Sequence, residues 1–575
     1  MAYTAPTADQ ILAMRVNAGI DTLARDDRFA AATPDVVAAI AEGIGALAAG
    51  EWAPLNRVGD TRGARWHDGA VDLPAGFRAA YRAFVEQGWN SVAGPVAQGG
   101  QGLPFTLATC VLETLGGANM GFALLPMLTV GAIEAIDHHG SDAQKARYLG
   151  KLVSGEWSGT MNLTEPQAGS DVGALRTTAT PISSGEHAGK YAIKGTKIYI
   201  TWGEHDLADN IIHLVLARTP GAPAGSRGIS LFLVPKFHVE PDGAPGARND
   251  VRCAAIEHKL GINASPTCTM VFGDHDACIG ELVGREHGGL RAMFTMMNSA
   301  RINVGSQGVQ IAEAALQLAR GYARDRVQSP RASGADRAAV AIIEHPDVRR
   351  MLMRMRSLTE AARALLYYTA GQVDRGALGD AGAQARAEVL VPLLKAWGTD
   401  LGCEVASLGI QIHGGMGFVE DCGAAQFYRD ARIAPIYEGT NGIQAADFVT
   451  RKLGLEGGGV VQALLSDVLA DCADIPELAD LARDAAAIAQ WMAGGGASLD
   501  DKLAGSVPFT TMSAVVVAGW QLARQVKATG SADKAAISRF FNRTVVPEAR
   551  GLRAAAMAGA ALLYDLDSEA LAGSA

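Results

Sequence analysis

No CxxC pair occurs among the seven cysteines, Cys110, Cys253, Cys268, Cys278, Cys403, Cys422 and Cys472, and their number is odd. That pattern argues against a cysteine-ligated metal and against a disulfide framework, so the thiols are expected to be reduced and mostly buried, with no metal site. No run of eighteen uninterrupted apolar residues occurs, and the stretch from Met1 to Ile20 lacks a basic start followed by an apolar core. The expectation is a soluble, cytoplasmic protein with no transmembrane segment. Charge is also scarce: charged residues make up 19% of the chain, the net charge is -10, and blocks of like charge are missing. Nucleic acid is not expected as a partner. There is no GxGxxG between a strand and a helix and no GxSxG, which disfavours a nicotinamide dehydrogenase and a serine hydrolase. Gly99, Gly100 and Gly102 sit in a loop without the dinucleotide-binding spacing.

What is present is length and apolar content. The 575 residues, 49% of them hydrophobic, are enough for two to four structural units with large cores. Val36, Val37, Ile40, Ile44 and Leu47, then Phe77, Tyr81 and Phe84, recur at helical spacing, predicting a helical N-terminal domain over residues 1–156. Short β-rich runs such as 191–200, 211–216 and 229–234, punctuated by Gly, Pro and Asp, predict an antiparallel barrel or sandwich over 157–282. Helical stripes return near Gly289. The one through Gly308, Ile311, Ala315 and Leu318 carries small residues that suit close helix packing, and a helical bundle is expected over 283–455. A glycine cluster at Gly457–Gly459 precedes a further helical domain over 456–575. The fold class expected is α+β, multi-domain, in the order helical, β, helical, helical.

Three segments carry candidate chemistry. Met161-Asn-Leu-Thr-Glu-Pro-Gln-Ala-Gly-Ser-Asp171 offers hydroxyls and backbone NH groups suited to a phosphate or a polar heterocycle. Lys197-Ile-Tyr-Ile-Thr-Trp-Gly203 ends a strand in aromatic and hydroxyl groups. Tyr199 can lie on a planar ring while Thr201 meets its edge, or the two can be a core aromatic and a strand-end cap. In Tyr437-Glu-Gly-Thr-Asn-Gly-Ile-Gln444, Glu438 can be desolvated enough to act as a base, and Thr440 or Asn441 can cap the helix that follows. Taken alone, Glu438 reads equally well as a solvated turn residue.

Together these segments, with Arg301, Gln411-Ile-His-Gly-Gly415 and Arg429-Asp430, resemble the acyl-CoA dehydrogenase family across residues 35 to 450. The resemblance implies FAD as cofactor, with Met161, Leu163, Thr164, Gly169 and Ser170 at the flavin and phosphates and Tyr199 and Thr201 at the isoalloxazine. Tyr199 stands where Trp is frequent. Arg326 and Gln328 would reach FAD across a dimer interface, although Ser329-Pro330 replaces the usual Phe-Gly. Gln411, Gly414 and Gly415 would meet its adenosine and pyrophosphate, with Thr440 and Asn441 also on the cofactor side. Ser170, Arg301 and Gly439 would contact the acyl-CoA, and Glu438 would be the catalytic base. Ala53-Pro-Leu-Asn56, Ile343-Glu-His-Pro-Asp-Val-Arg-Arg350 and the C-terminal extension resemble the branch that includes 3-methylmercaptopropionyl-CoA dehydrogenases.

The activity so implied is α,β-dehydrogenation of an acyl-CoA thioester to its trans-2-enoyl form. Glu438 would remove the α-proton and flavin N5 would accept the β-hydride, with carbonyl polarisation by the Glu438 NH and the ribityl hydroxyl. Electron-transferring flavoprotein is the implied electron acceptor and a homo-oligomer, preferably a dimer, the implied assembly. The competing readings are an acyl-CoA oxidase using oxygen, a medium- or long-chain fatty acyl-CoA dehydrogenase, and a silent scaffold; the last predicts loss of Glu438, which is present.

Overall fold

The computed structural model describes residues 3–334 and 336–573. The chain forms two compact units. One is built on Ala39–Asn303, the other on Pro6–Ala38 together with the chain from Val304 onward, and the division falls inside the long helix Gly289–Asp325.

In the first unit, Phe105–His139 (α1) is apolar almost throughout and almost wholly buried. It is broken at Asn119, whose φ of -161° and ψ of 90° leave the helical region. The Asn119 side chain accepts a hydrogen bond from the Phe122 NH at 3.2 Å, so the residue that interrupts the helix restarts it as a cap. Beside α1 lies an eight-stranded sheet made of Trp157–Asn162 (β1), Thr178–Pro181 (β2), Tyr191–Thr201 (β3), Asn210–Arg218 (β4), Ile229–Pro235 (β5), Val251–Ile256 (β6), Thr267–Phe272 (β7) and Ile279–Val283 (β8). Its order is β6-β7-β3-β8-β5-β4-β1, with β2 pairing β3 and β4. Most pairs are antiparallel, as expected, but β1 and β4 run parallel over six residues and β2 meets β4 in parallel, so the sheet is mixed. A Cβ on Gly159 of β1 would stand 2.4 Å from the Cβ of Ala132, which is how closely α1 lies on that strand.

In the second unit, Pro346–Ala377 (α3, after Gly289–Asp325 as α2) and Ala381–His413 (α4) form the centre of a bundle. Proline at the first turn starts α3, and Asp380 caps α4 through the Ala383 NH. The small residues predicted to allow close packing do so. A Cβ on Gly308 would lie 1.7 Å from the Gly398 carbonyl, and one on Gly305 would lie 2.7 Å from Leu394, so α2 and α4 cross with their backbones nearly touching.

After Asn441–Asp447 (α5), the extension adds Gly459–Asp471 (α6), Pro476–Ala493 (α7), Ser506–Thr529 (α8) and Ala532–Gly551 (α9). Val515, Val516 and Val517 are buried within the subunit. Helix α8 packs on the bundle through Trp520 against Tyr368, ring centres 5.3 Å apart, and Phe509 stacks on Phe448 at 5.3 Å. The seven cysteines are unpaired, five of them buried, and no cluster of metal-ligating side chains occurs among the described residues. The expectation of no transmembrane segment needs correction in one respect. Two helical stretches, Asp27–Arg62 and Phe105–His139, are long and apolar enough to cross a membrane by length and composition, although neither holds eighteen uninterrupted apolar residues. In α1 that apolar surface is buried inside the fold.

Candidate active site

In the unit built on Ala39–Asn303, the end of β1 leads Met161, Leu163 and Thr164 into a tight turn that the Glu165 and Ala168 backbones close by mutual hydrogen bonds at 3.1 and 2.9 Å. The turn is tied to β3 by three contacts. The Ile198 NH donates to the Thr164 carbonyl at 2.9 Å, Lys197 Nζ donates to the Leu163 carbonyl at 3.0 Å, and Thr160 Oγ1 donates to the Thr201 carbonyl at 2.7 Å. Lys197 is 0% exposed, and its Nζ also lies 2.8 Å from Glu165 Oε1, itself on a residue 3% exposed. Glu165 takes further hydrogen bonds from the Thr177 hydroxyl, the Arg176 and Thr177 NH groups and Gln167. Burial alone would raise the Glu165 carboxyl, but Lys197 and these donors bring it down to about 2. Burial lowers Lys197 to about 8 against the pull of Glu165, so the pair is ionised at neutral pH.

This ion pair fixes what lies on either side of it. Gly169 and Ser170 are exposed at the end of the turn, and a Cβ on Gly169 would meet nothing within 4 Å. Tyr199 is 60% exposed and held at φ 59°, a conformation that non-glycine residues seldom adopt and that costs about 1–3 kcal/mol. An exposed aromatic side chain and an exposed loop bearing a hydroxyl suit a planar heterocycle carrying phosphates. Arg301, on the same unit, is buried on α2 with its guanidinium 5.9 Å from the centre of the Phe294 ring.

In the other unit, Tyr437 and Glu438 follow a turn after helix Ala424–Ala431 and precede α5, which Thr440 caps by accepting the Ile443 NH at 3.2 Å. Glu438 is half-buried at φ 56° and Gly439 follows at φ 82°, so two consecutive left-handed residues turn the chain back sharply. Tyr437 is held by donating its hydroxyl to Gln307 Oε1 on α2, and burial keeps that hydroxyl protonated far above its usual range. Gln444 Nε2 donates to the Glu438 carbonyl at 3.2 Å, and Lys395 Nζ donates to the Gly439 carbonyl at 2.8 Å. Asn441, expected on the cofactor side, directs its side chain toward α4. Its Oδ1 accepts from Lys395 at 3.0 Å, and its Nδ2 reaches Asp400 Oδ1 at 2.8 Å and the Ala396 carbonyl at 3.0 Å.

The remaining predicted residues of this unit fall into two exposed groups. Arg326 Nη2 donates to Gln328 Oε1 at 3.2 Å, and the Gln328 carbonyl lies 2.7 Å from His345 Nε2. Gln411, Gly414 and Gly415 end α4, with Gly414 at φ 59° and ψ -138°, a conformation that excludes side chains. Just beyond them Phe418 is 89% exposed, with Met416 and Val419 also exposed.

Four side chains that hold these loops were given no role in the sequence expectations: Lys197 with Glu165 under the first loop, and Lys395 with Gln444 under the second. Lys395 did carry a signal, being the single ionisable residue between Glu388 and Asp400 in an apolar stretch. Such a charge has to find partners inside the fold.

Sequence profiles agree with this layout. Acyl-CoA dehydrogenase N-terminal, middle and C-terminal domains match residues 40–156, 160–275 and 287–453, and an "Acetyl-CoA dehydrogenase C-terminal like" domain matches 461–567. A 3-methylmercaptopropionyl-CoA dehydrogenase of Ruegeria pomeroyi is 48% identical over 538 residues, covering 91% of this chain and 90% of that protein. Among solved structures, an acyl-CoA dehydrogenase complexed with FAD from Bacillus anthracis shares the fold at TM-score 0.74 and 22% identity, over 93% of this chain and 89% of that one. A chain solved in a study of the electron transferring flavoprotein of Acidaminococcus fermentans matches at TM-score 0.59 and 27% identity, over 72% of this chain and 97% of that one. With the strained glutamate, the tethered loops and the matching profiles in one chain, this protein belongs to the acyl-CoA dehydrogenase family.

Proposed function

We propose that the chain oxidises an acyl-CoA thioester to the trans-2-enoyl-CoA, with Glu438 as the base, FAD as the cofactor and 3-methylmercaptopropionyl-CoA as the substrate. The observation that carries the reading is Glu438 itself: a half-buried carboxylate on a left-handed turn whose two following carbonyls are each tied down. Strain of this kind persists where the surrounding structure over-determines it, and a base needs that fixity to meet one particular C–H bond.

The FAD reading is supported by the exposed Tyr199 face and the open Gly169–Ser170 turn, with Met161, Leu163, Thr164 and Thr201 beside them. When bound, FAD supplies the acceptor for the β-hydrogen and its electron pair. The protein's own part is to place Glu438 so that its carboxylate takes the α-proton, while Arg301 and Gly439 help to seat the thioester. The 3-methylmercaptopropionyl substrate is supported by the Ruegeria relative. Electron-transferring flavoprotein as acceptor is supported by the likeness to the Acidaminococcus chain. A homodimer is supported by the exposed Phe418 beside Gly414–Gly415, an apolar surface that a second copy would cover together with Arg326 and Gln328.

The test is an anaerobic titration of the purified flavoprotein with a panel of acyl-CoAs that includes 3-methylmercaptopropionyl-CoA and butyryl-CoA, following flavin absorbance in wild type and Glu438→Gln. Bleaching by 3-methylmercaptopropionyl-CoA in wild type, slowed by about 100-fold or more in the variant, is the expected result. A protein that is bleached by no thioester overturns the reading.

A further inference from the structure

We infer that Lys395 is a positioning residue for the dehydrogenation: its ammonium group holds the Glu438–Gly439 turn in the conformation from which the carboxylate can act. The inference rests on the reading of Glu438 as the base.

The argument starts from an energetic conflict. Lys395 is 0% exposed in the middle of α4, and a lysine is rarely placed there without a task, because burying its charge is costly unless donors and acceptors meet it. Its Nζ donates to the Gly439 carbonyl at 2.8 Å and to Asn441 Oδ1 at 3.0 Å. Both lie within three residues of Glu438 and neither is in α4. The opposite face of the Asn441 amide passes the contact on, since its Nδ2 donates to Asp400 Oδ1 at 2.8 Å and to the Ala396 carbonyl at 3.0 Å, and stands 3.0 Å from Thr399 Oγ1. One turn of α4, from Lys395 to Asp400, therefore grips the loop through a relay of ammonium, amide and carboxylate.

The grip falls where the backbone is least stable by itself. Glu438 and Gly439 both have positive φ, and for Glu438 that conformation is disfavoured by its Cβ. The carbonyls that follow these two residues are the atoms that would swing if the turn relaxed. Gln444 holds the first and Lys395 the second, the second by the stronger, charge-assisted bond. Removing Lys395 leaves Thr440 to cap α5 and Tyr437 bound to Gln307, so the loop stays attached at both ends. What is lost is the orientation of the peptide joining Gly439 to Thr440, and with it the aim of the carboxylate one residue earlier.

The experiment compares wild type, Lys395→Met, Lys395→Gln and Glu438→Gln as full-length, FAD-loaded proteins. Four quantities are read: flavin content, affinity for a non-oxidisable thioether analogue of the acyl-CoA, the rate of anaerobic flavin bleaching at saturating acyl-CoA, and the isotope effect with substrate deuterated at the α-carbon. Lys395→Met is expected to keep its flavin and its analogue affinity while bleaching on the order of 100-fold more slowly, as an ångström-scale misplacement of a reacting group does. Its isotope effect should rise, because proton removal becomes more fully rate-limiting. Lys395→Gln, which retains a donor, should recover part of the rate. A flavin-loaded Lys395→Met that bleaches within about threefold of wild type overturns the inference, and so does a slow variant whose loss is matched by loss of flavin or analogue binding. Undiminished bleaching in Glu438→Gln overturns the assignment of the base. Bleaching lost there but kept in Lys395→Met overturns the role of Lys395 alone.

Discussion

Two buried lysines support the two candidate loops, and they are satisfied in different ways. Lys197, below the turn that presents Tyr199, touches a carboxylate directly, and Glu165 is held by four further donor groups. Lys395 donates to the amide oxygens of Gly439 and Asn441, and Asn441 in turn donates to Asp400. Burial raises the Asp400 carboxyl, opposed by the Asn441 hydrogen bond and the Lys395 charge. A direct ion pair with all its lone pairs met makes a rigid support, suited to a surface on which a cofactor rests. A cation bonded to a backbone carbonyl and a side-chain amide of one turn is suited to aiming a single group.

The contrast can be broken most decisively at Glu165. Glu165→Gln leaves the Lys197 ammonium buried without its counter-charge, and a loss of about 3–5 kcal/mol in urea unfolding is expected, with reduced flavin content. If Lys395→Met costs as much, the two lysines are equivalent supports and the distinction fails. The same pair sets an acid limit. The Glu165 carboxyl sits near 2 in the folded chain against an ordinary 4.5, so its contribution is fully present above pH 4.5 and is lost as the pH falls toward 2. Unfolding free energies measured from pH 6 to pH 3 should therefore fall more steeply in wild type than in Glu165→Gln, and parallel slopes would show that the pair is not what stabilises the turn. The smallest effect is expected at Thr440, whose hydroxyl caps α5. Thr440→Ala should lower stability by about 1 kcal/mol in the same urea assay, well below the loss expected for Glu165→Gln.

Much of this was legible in the sequence where the signal is local. Helical spacing marked α2, β-rich runs marked β3, β4 and β5, and the Tyr-Glu-Gly-Thr segment marked the turn at Glu438 together with the cap at Thr440. What was not legible depends on pairs distant along the chain. Lys197 and Glu165 are 32 residues apart, and Lys395 and Gly439 are 44 apart. The parallel pairing of β1 with β4 likewise joins segments about fifty residues apart, and strand composition does not encode direction. The break at Asn119 was hidden because the residues on both sides are equally apolar. Asn441 is a further case: its side chain ties the loop to Lys395 and Asp400, 46 and 41 residues away along the chain.

The apolar character of α1 has a consequence for the protein's synthesis. Phe105–His139 leaves the ribosome before the sheet that covers it is complete, since β1 begins only at Trp157 and β8 ends at Val283. For that interval the nascent chain displays a segment with the composition of a membrane span. Holdase chaperones would be drawn to it, and a slow or truncated translation product would be prone to aggregate through it. Expression yield should thus be governed less by the catalytic residues than by how soon the β-rich region arrives to shelter this one helix.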